Sequence, residues 1–269
     1  MPLSPAVRPY DHVLLDLDGT VWLGDAALPG AVEAVSALRE AGKSVLYVTN
    51  DVRLAPEAFV RKLWGLGFQA SVAEVLSAGA ALQYFLAENG GHRPAYVVGA
   101  QALVDHVAEA GLRIVNGTTF APRADVVVVG GHDRFAFEEL KIATQAVLRG
   151  AELIGATRDA TFPMPDGLWP GTGAVLAAIE TATGRKAAHV VGKPEPPMYA
   201  AALDRLGPGR VLAVGDRLDA DIEGARRAGH HAALVLTGVT SRADAEAASP
   251  RPTYVVDSLA ALVLGGGPS

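Results

Sequence analysis

Four short stretches of this chain set reactive side chains directly behind apolar runs. The first is Leu15-Asp16-Leu17-Asp18-Gly19-Thr20. Two carboxylates one residue apart repel each other, and a hard divalent cation, which takes oxygen ligands, makes the arrangement favourable. Gly19 lets the backbone turn sharply behind them. Taken alone, the same residues also suit an Asx-type turn in which the acids cap the next segment. The second stretch, Tyr47-Val48-Thr49-Asn50, offers a hydroxyl and an amide able to hold phosphate oxygens, although a helix N-cap is the commoner use of such a pair. The third, Val190-Val191-Gly192-Lys193-Pro194, lacks the glycine spacing and the Ser/Thr of a P-loop. Lys193 is therefore either an ammonium delivered to the same crevice or a solvated side chain. The fourth, Ala213-Val214-Gly215-Asp216-Arg217-Leu218-Asp219-Ala220-Asp221, ends a run in Gly-Asp and opens a helix with two acids. Acids are ordinary partners of a helix N-terminus, so Asp219 and Asp221 have a plain alternative use. Asp216, placed like Asp16, is harder to explain that way.

The elements needed to position these residues can be read from periodicity. Strand-like runs at 12–16, 44–49, 95–99, 125–130, 152–157, 189–192, 211–215, 233–236 and 254–257 alternate with helical patterns at 30–41, 57–63, 101–110, 137–149, 172–183 and 220–228. Strict alternation predicts an α/β fold with a parallel sheet wrapped by helices. Several helices stop at glycine: Gly42, Gly111, Gly150, Gly184 and Gly229. In such sheets ligands bind at the carboxyl ends of the strands, where all four stretches lie. A turn cluster at 88–94 and an irregular stretch from Arg158 to Gly173 suggest that the material between them is an insertion.

Composition narrows the chemistry. The chain has 269 residues, half of them hydrophobic and 19% charged, no cysteine, and a net charge of −6. A chain of this kind can bury a sizeable core. Without cysteine it has no disulfides, thiolate metal sites or thiol nucleophile. An acidic chain without a basic block gives no footprint for a nucleic-acid partner. No apolar run approaches the roughly 20 residues of a membrane span, and no signal segment is visible, so a cytoplasmic protein is expected. The seven histidines show no HExxH spacing, and no G-x-S-x-G elbow is present, which argues against zinc and serine hydrolases.

In their order, the DxDGT, TN, GKP and GDxxxxD stretches resemble the four motifs of the haloacid dehalogenase-like (HAD) phosphohydrolase superfamily. The resemblance extends over most of the chain. Gly171-Thr172-Gly173-Ala174, Leu236-Thr237-Gly238-Val239-Thr240 and Tyr254-Val255-Val256-Asp257-Ser258-Leu259 look like its type IIA branch, which holds 4-nitrophenyl, phosphoglycolate and pyridoxal phosphate phosphatases and NagD-like nucleotidases. The resemblance implies a Rossmann-like parallel-sheet core, residues 1–79 and 179–269, carrying an inserted α/β cap of the C2 type, residues 80–178. It also implies Mg2+-dependent hydrolysis of a small phosphorylated metabolite. Asp16 would be the nucleophile that becomes an aspartyl-phosphate. Asp18 would protonate the leaving group and then activate water. Thr49, Asn50 and Lys193 would hold the phosphoryl oxygens, while Asp16, the backbone carbonyl of Asp18 and Asp216 would bind the metal. Asp221 would orient Lys193 or a metal-bound water. In the cap, Arg158 and Asp159 become candidates for contact with the substrate, with a salt bridge the alternative for Arg158. Capped relatives often dimerise, so a homodimer is possible.

Two departures stand out: Asp51-Val52-Arg53 follows Thr49-Asn50 where the family often has Asn or Ser, and Thr157-Arg158-Asp159 replaces Thr-Asn-Asp. An acid at Asp51 would weaken anion binding unless it points away or pairs with Arg53. Competing readings are a phosphotransferase using the same intermediate and a non-catalytic protein that binds or senses a phosphorylated metabolite. Trp22, Trp64 and Trp169 fit core, cap-contact or interface roles equally.

Overall fold

The structure, a computed structural model, describes residues 3–164 and 166–265. The chain divides into two compact units. The first holds the residues up to Thr49, Pro56–Leu76, and the chain from Lys193 onward; the second holds Asn50–Ala55 and Ser77–Gly192.

The first unit is built on a six-stranded sheet in the order Tyr254–Val256, His231–Val235, Val211–Gly215, His12–Asp16, Ser44–Thr49, Val75–Ser77. The pairings from Tyr254–Val256 through Ser44–Thr49 are all parallel. The central strand His12–Asp16 is apolar and buried at Val13, Leu14 and Leu15, as a strand covered on both faces must be. Its register sets Leu14 against Ala213 on one side and Leu46 on the other, so the carboxyl ends of all three strands open at one edge. The chain leaves the central strand toward Ser44–Thr49 and returns on its other side at Val211–Gly215, which makes this edge a topological switch point. Helix Ala31–Glu40 buries Ala31, Ala34, Val35 and Leu38, the i, i+3, i+4, i+7 stripe of a core-facing helix. Trp22, Tyr47, Leu15 and Leu17 complete the same core.

The second unit has its own five-stranded parallel sheet, ordered His189–Val190, Glu152–Gly155, Val126–Val129, Pro94–Val98, Arg113–Ile114, and its own core around Val127, Val129, Val147 and Leu176. Its limits differ from the expected cap of 80–178. Helix Thr172–Thr183 buries Val175, Leu176 and Ile179 in the second core, and His189–Val190 pairs with Glu152–Gly155, so the unit runs to Gly192. The segment Asn50–Ala55 also belongs here, with the Arg53 guanidinium 4.1 Å from the centre of the Phe162 ring.

The stretch from Arg158 to Gly173, read as irregular from sequence, contains an antiparallel hairpin of Thr161–Met164 with Gly167–Pro170. No helix among the described residues is long and apolar enough to cross a membrane.

Candidate active site

Asp16 ends the central strand, Thr49 ends the neighbour on one side, and Asp216 follows Gly215 at the end of the other. A single π-type turn at Leu218–Ile222 then presents Asp221. Three strand ends and one turn thus bring four motif residues to one edge of the first unit, with Lys193 among them. Its Nζ donates to Asp16 Oδ1 at 2.5 Å and to Asp221 Oδ1 at 2.7 Å, and lies 3.4 Å from the carbonyl oxygen of Val48. Lys193, Asp216 and Asp221 are all buried.

Burial on this scale shapes the charges. Desolvation alone pulls the Lys193 ammonium down, but Asp16 and Asp221 outweigh it and hold Lys193 above the ordinary lysine range. Burial pushes Asp16 well above the carboxylate range; Lys193 pulls it back, while Asp221 and Asp216 push it further up. Burial raises Asp216 as well, against the pull of the Val239 N–H.

Asp16, Asp216 and Asp221 each offer a carboxylate oxygen, and these oxygens lie within 4.8 Å of one another. One ammonium does not neutralise three carboxylates, and a set of donors made only of oxygen suits a hard divalent cation. The residues present therefore fit a bound Mg2+.

The carboxylate of Asp18 is not part of this cluster. It is exposed and accepts a hydrogen bond from Trp22 Nε1 at 2.8 Å. Thr49 is buried at its strand end.

The remaining candidates lie in the second unit. The Asn50 side-chain amide donates to Asp159 Oδ2 at 2.8 Å. Arg158 donates to Glu180 Oε1 at 2.9 Å, and the same buried carboxylate accepts from Lys186 Nζ at 2.8 Å and from the Ala187 N–H at 3.0 Å. Arg158 is therefore engaged in a salt bridge inside its own unit. Asp51 is answered by Arg53, whose Nε and guanidinium NH2 reach its two oxygens at 3.0 and 2.8 Å.

Sequence reasoning missed two contributors. Trp22, one of three unranked tryptophans, binds Asp18; the only signal was its place four residues further on. Leu236–Thr240, quoted only as a branch signature, holds the site together. The Val239 N–H donates to Asp216 Oδ2 at 2.6 Å, and the Thr237 hydroxyl donates to the Gly19 carbonyl at 2.5 Å.

Comparison with known proteins agrees with this geometry. A family model described as haloacid dehalogenase-like hydrolase matches residues 13–113, and one described as HAD-hydrolase-like matches residues 190–262. D-glycerol 3-phosphate phosphatase of Mycobacterium tuberculosis is 39% identical over 265 residues, covering 97% of this chain and 73% of that protein. Human chronophin is 38% identical over 274 residues, covering 94% and 92%. Among solved structures, p-nitrophenyl phosphatase from Archaeoglobus fulgidus superposes with a TM-score of 0.86 at 32% identity, covering 94% of this chain and 98% of that one. The glycerol phosphate phosphatase of Mycobacterium tuberculosis, solved with magnesium, superposes with a TM-score of 0.89 at 38% identity, covering 97% and 78%. The chain belongs to the haloacid dehalogenase-like hydrolase family, and within it to the phosphatases.

Proposed function

We propose that this protein is a Mg2+-dependent phosphomonoester hydrolase that acts on a small phosphorylated alcohol or sugar through an aspartyl-phosphate on Asp16. The observation that carries the reading is the buried bridge from Lys193 to both Asp16 and Asp221, set beside Asp216. A phosphate dianion approaches a carboxylate nucleophile only where positive charge screens the repulsion. Lys193 supplies one such charge; Asp16, the Asp18 carbonyl and Asp216 would hold Mg2+, which would supply the rest.

In the first step a carboxylate oxygen of Asp16 forms a bond to phosphorus while the bond from phosphorus to the leaving oxygen breaks, and Asp18 gives that oxygen its proton. In the second, Asp18 takes a proton from water as the water attacks phosphorus, which releases inorganic phosphate and restores Asp16. Thr49, Asn50 and Lys193 hold the phosphoryl oxygens throughout, and Asp221 fixes Lys193 from behind. The named substrates of the relatives, glycerol phosphates and sugar phosphates among them, support a small polyol or sugar leaving group.

The test is hydrolysis of p-nitrophenyl phosphate by the purified protein with Mg2+, with EDTA, and by Asp16→Asn. Turnover with Mg2+ that EDTA and the substitution both abolish is the expected result. Turnover that persists in Asp16→Asn would reject the covalent route.

A further inference from the structure

We propose that Trp22 is a positioning residue for proton transfer, fixing which oxygen of Asp18 carries the exchanging proton. The inference rests on the phosphatase reading above and extends it to a residue outside the four motifs.

The indole reaches Asp18 because the chain between them closes on itself. The N–H groups of Thr20, Val21 and Trp22 all converge on the carbonyl of Leu17 at 3.3, 2.8 and 3.1 Å, and the Gly19 N–H returns to the Trp22 carbonyl at 2.7 Å. Gly19 sits at φ +79°, and a Cβ there would overlap Asp216, so only glycine permits the turn. Trp22 then continues into the short antiparallel pairing of Trp22–Leu23 with Ala26–Ala27. Its side chain is 1% exposed and packed in the first unit's core, which fixes the ring. Lys62 Nζ lies 4.4 Å from the ring centre, and a cation over the indole face draws electron density from it and strengthens the N–H as a donor.

The chemistry of the pair is directional. An indole nitrogen donates and never accepts. Its bond to Asp18 Oδ1 therefore favours that oxygen as the carbonyl-type acceptor and directs the proton of the neutral acid to Oδ2, because a carbonyl oxygen accepts more strongly than a hydroxyl oxygen. A free aspartate on an exposed loop would spread its proton over two oxygens and several rotamers. Holding one oxygen removes that freedom, and such orientation is a large part of what a positioned acid contributes.

The test exploits the leaving group. An alkyl phosphate such as glycerol phosphate needs a proton on its departing oxygen, whereas p-nitrophenolate leaves without one. The comparison uses kcat/KM, which reports the first chemical step. Trp22→Phe keeps the ring and deletes the donor. It is expected to lose ~30-fold more kcat/KM on glycerol phosphate than on p-nitrophenyl phosphate, a part of the roughly 100- to 10,000-fold that a positioned acid supplies. The ratio is taken within one preparation, so a fall in the folded fraction cancels. Equal losses on both substrates would overturn the proposal and leave the phosphatase reading standing. A wild-type protein that turned over neither substrate would remove both.

If Trp22→Phe fails to fold, a second measurement keeps Trp22 in place. The indole N–H resonance of Trp22, assigned by substituting Trp64 and Trp169, is expected to move when Asp18→Asn is introduced. An unmoved resonance would overturn the proposal.

Discussion

The backbone N–H of Val239 donates to Oδ2 of Asp216 at 2.6 Å. This bond occupies one oxygen of a buried carboxylate and leaves the other for a cation. The next residue tightens the hold, since the Thr240 N–H donates to the Asp216 carbonyl at 3.2 Å. The approach is so close that a Cβ on Gly238 would overlap the Asp216 carboxylate. Gly238→Ala must therefore push Asp216 aside without touching any charge. Groups that orient a metal ligand are worth about 10- to 100-fold in metal affinity, and a loss of that order is expected for Mg2+ by calorimetric titration. An unchanged affinity would show that Asp216 relaxes without leaving its place.

Lys193 holds a buried charge set together. It is 6% exposed and bridges two carboxylates. Lys193→Met keeps the length of the side chain but strands both acids, and removing one member of a buried charge set typically costs about 3–5 kcal/mol. Urea unfolding in EDTA is expected to show a loss of that size. Adding Asp16→Asn to the variant should return part of it, because one of the two stranded charges is then gone. Strict additivity of the two substitutions would contradict the coupling.

Glu180 gives the second unit a dependence on acid. Burial alone would raise its carboxyl, but the Ala187 N–H, Arg158 and Lys186 outweigh burial and bring it from 4.5 to about 2. A carboxylate held below its ordinary value contributes its full stability above about pH 4.5 and loses that contribution as the pH falls toward about 2. Glu180→Gln is expected to cost about 1–3 kcal/mol at pH 7, as loss of hydrogen bonds to charged groups does. The gap between wild type and variant should then close as melting is followed from pH 5 to pH 2.5. A gap that stays constant across that range would mean that the ionised form of Glu180 is not what holds Arg158.

Residues at strand ends were the legible part of this molecule. Asp16, Thr49 and Asp216 each close an apolar run in the sequence, and a parallel sheet necessarily gathers such ends at one edge. Lys193 also follows an apolar run, but its strand His189–Val190 pairs in the second unit's sheet, so sheet geometry alone does not place it beside Asp16. What stayed hidden depended on how the chain returns in space. The bond from Trp22 to Asp18 exists only because three N–H groups converge on Leu17, a closure that no periodicity encodes. The hairpin at 161–170 was obscured by prolines that read as breakers; Pro163 and Pro170 lie in its strands, and both strands of a lone two-stranded ribbon are edges, where proline is tolerated. The compact second unit runs past residue 178 because helix Thr172–Thr183 packs in its core and strand His189–Val190 pairs in its sheet. Local pattern alone places them on either side of the boundary equally well.

Repulsion within the acid cluster makes a further prediction about metal. Asp16 and Asp216 are each pushed up in part by Asp221, so with no cation bound the folded protein holds unfavourable charge that unfolding would release. A cation that binds only the folded form stabilises it by RT ln(1 + [L]/Kd), about 2.7 kcal/mol at a hundredfold excess over Kd. Adding Mg2+ to the protein stripped with EDTA is therefore expected to raise its melting temperature in step with concentration. Asp216→Asn should behave in the opposite sense on both counts. Without Mg2+ it relieves part of the repulsion, so the variant is expected to melt no lower than the stripped wild type. With Mg2+ it lacks an anionic ligand, so the rise should be mostly lost. A variant that gained as much as the wild type from Mg2+ would place the cation elsewhere than at Asp216, and the assignment of the strand-end carboxylates as its ligands would fall.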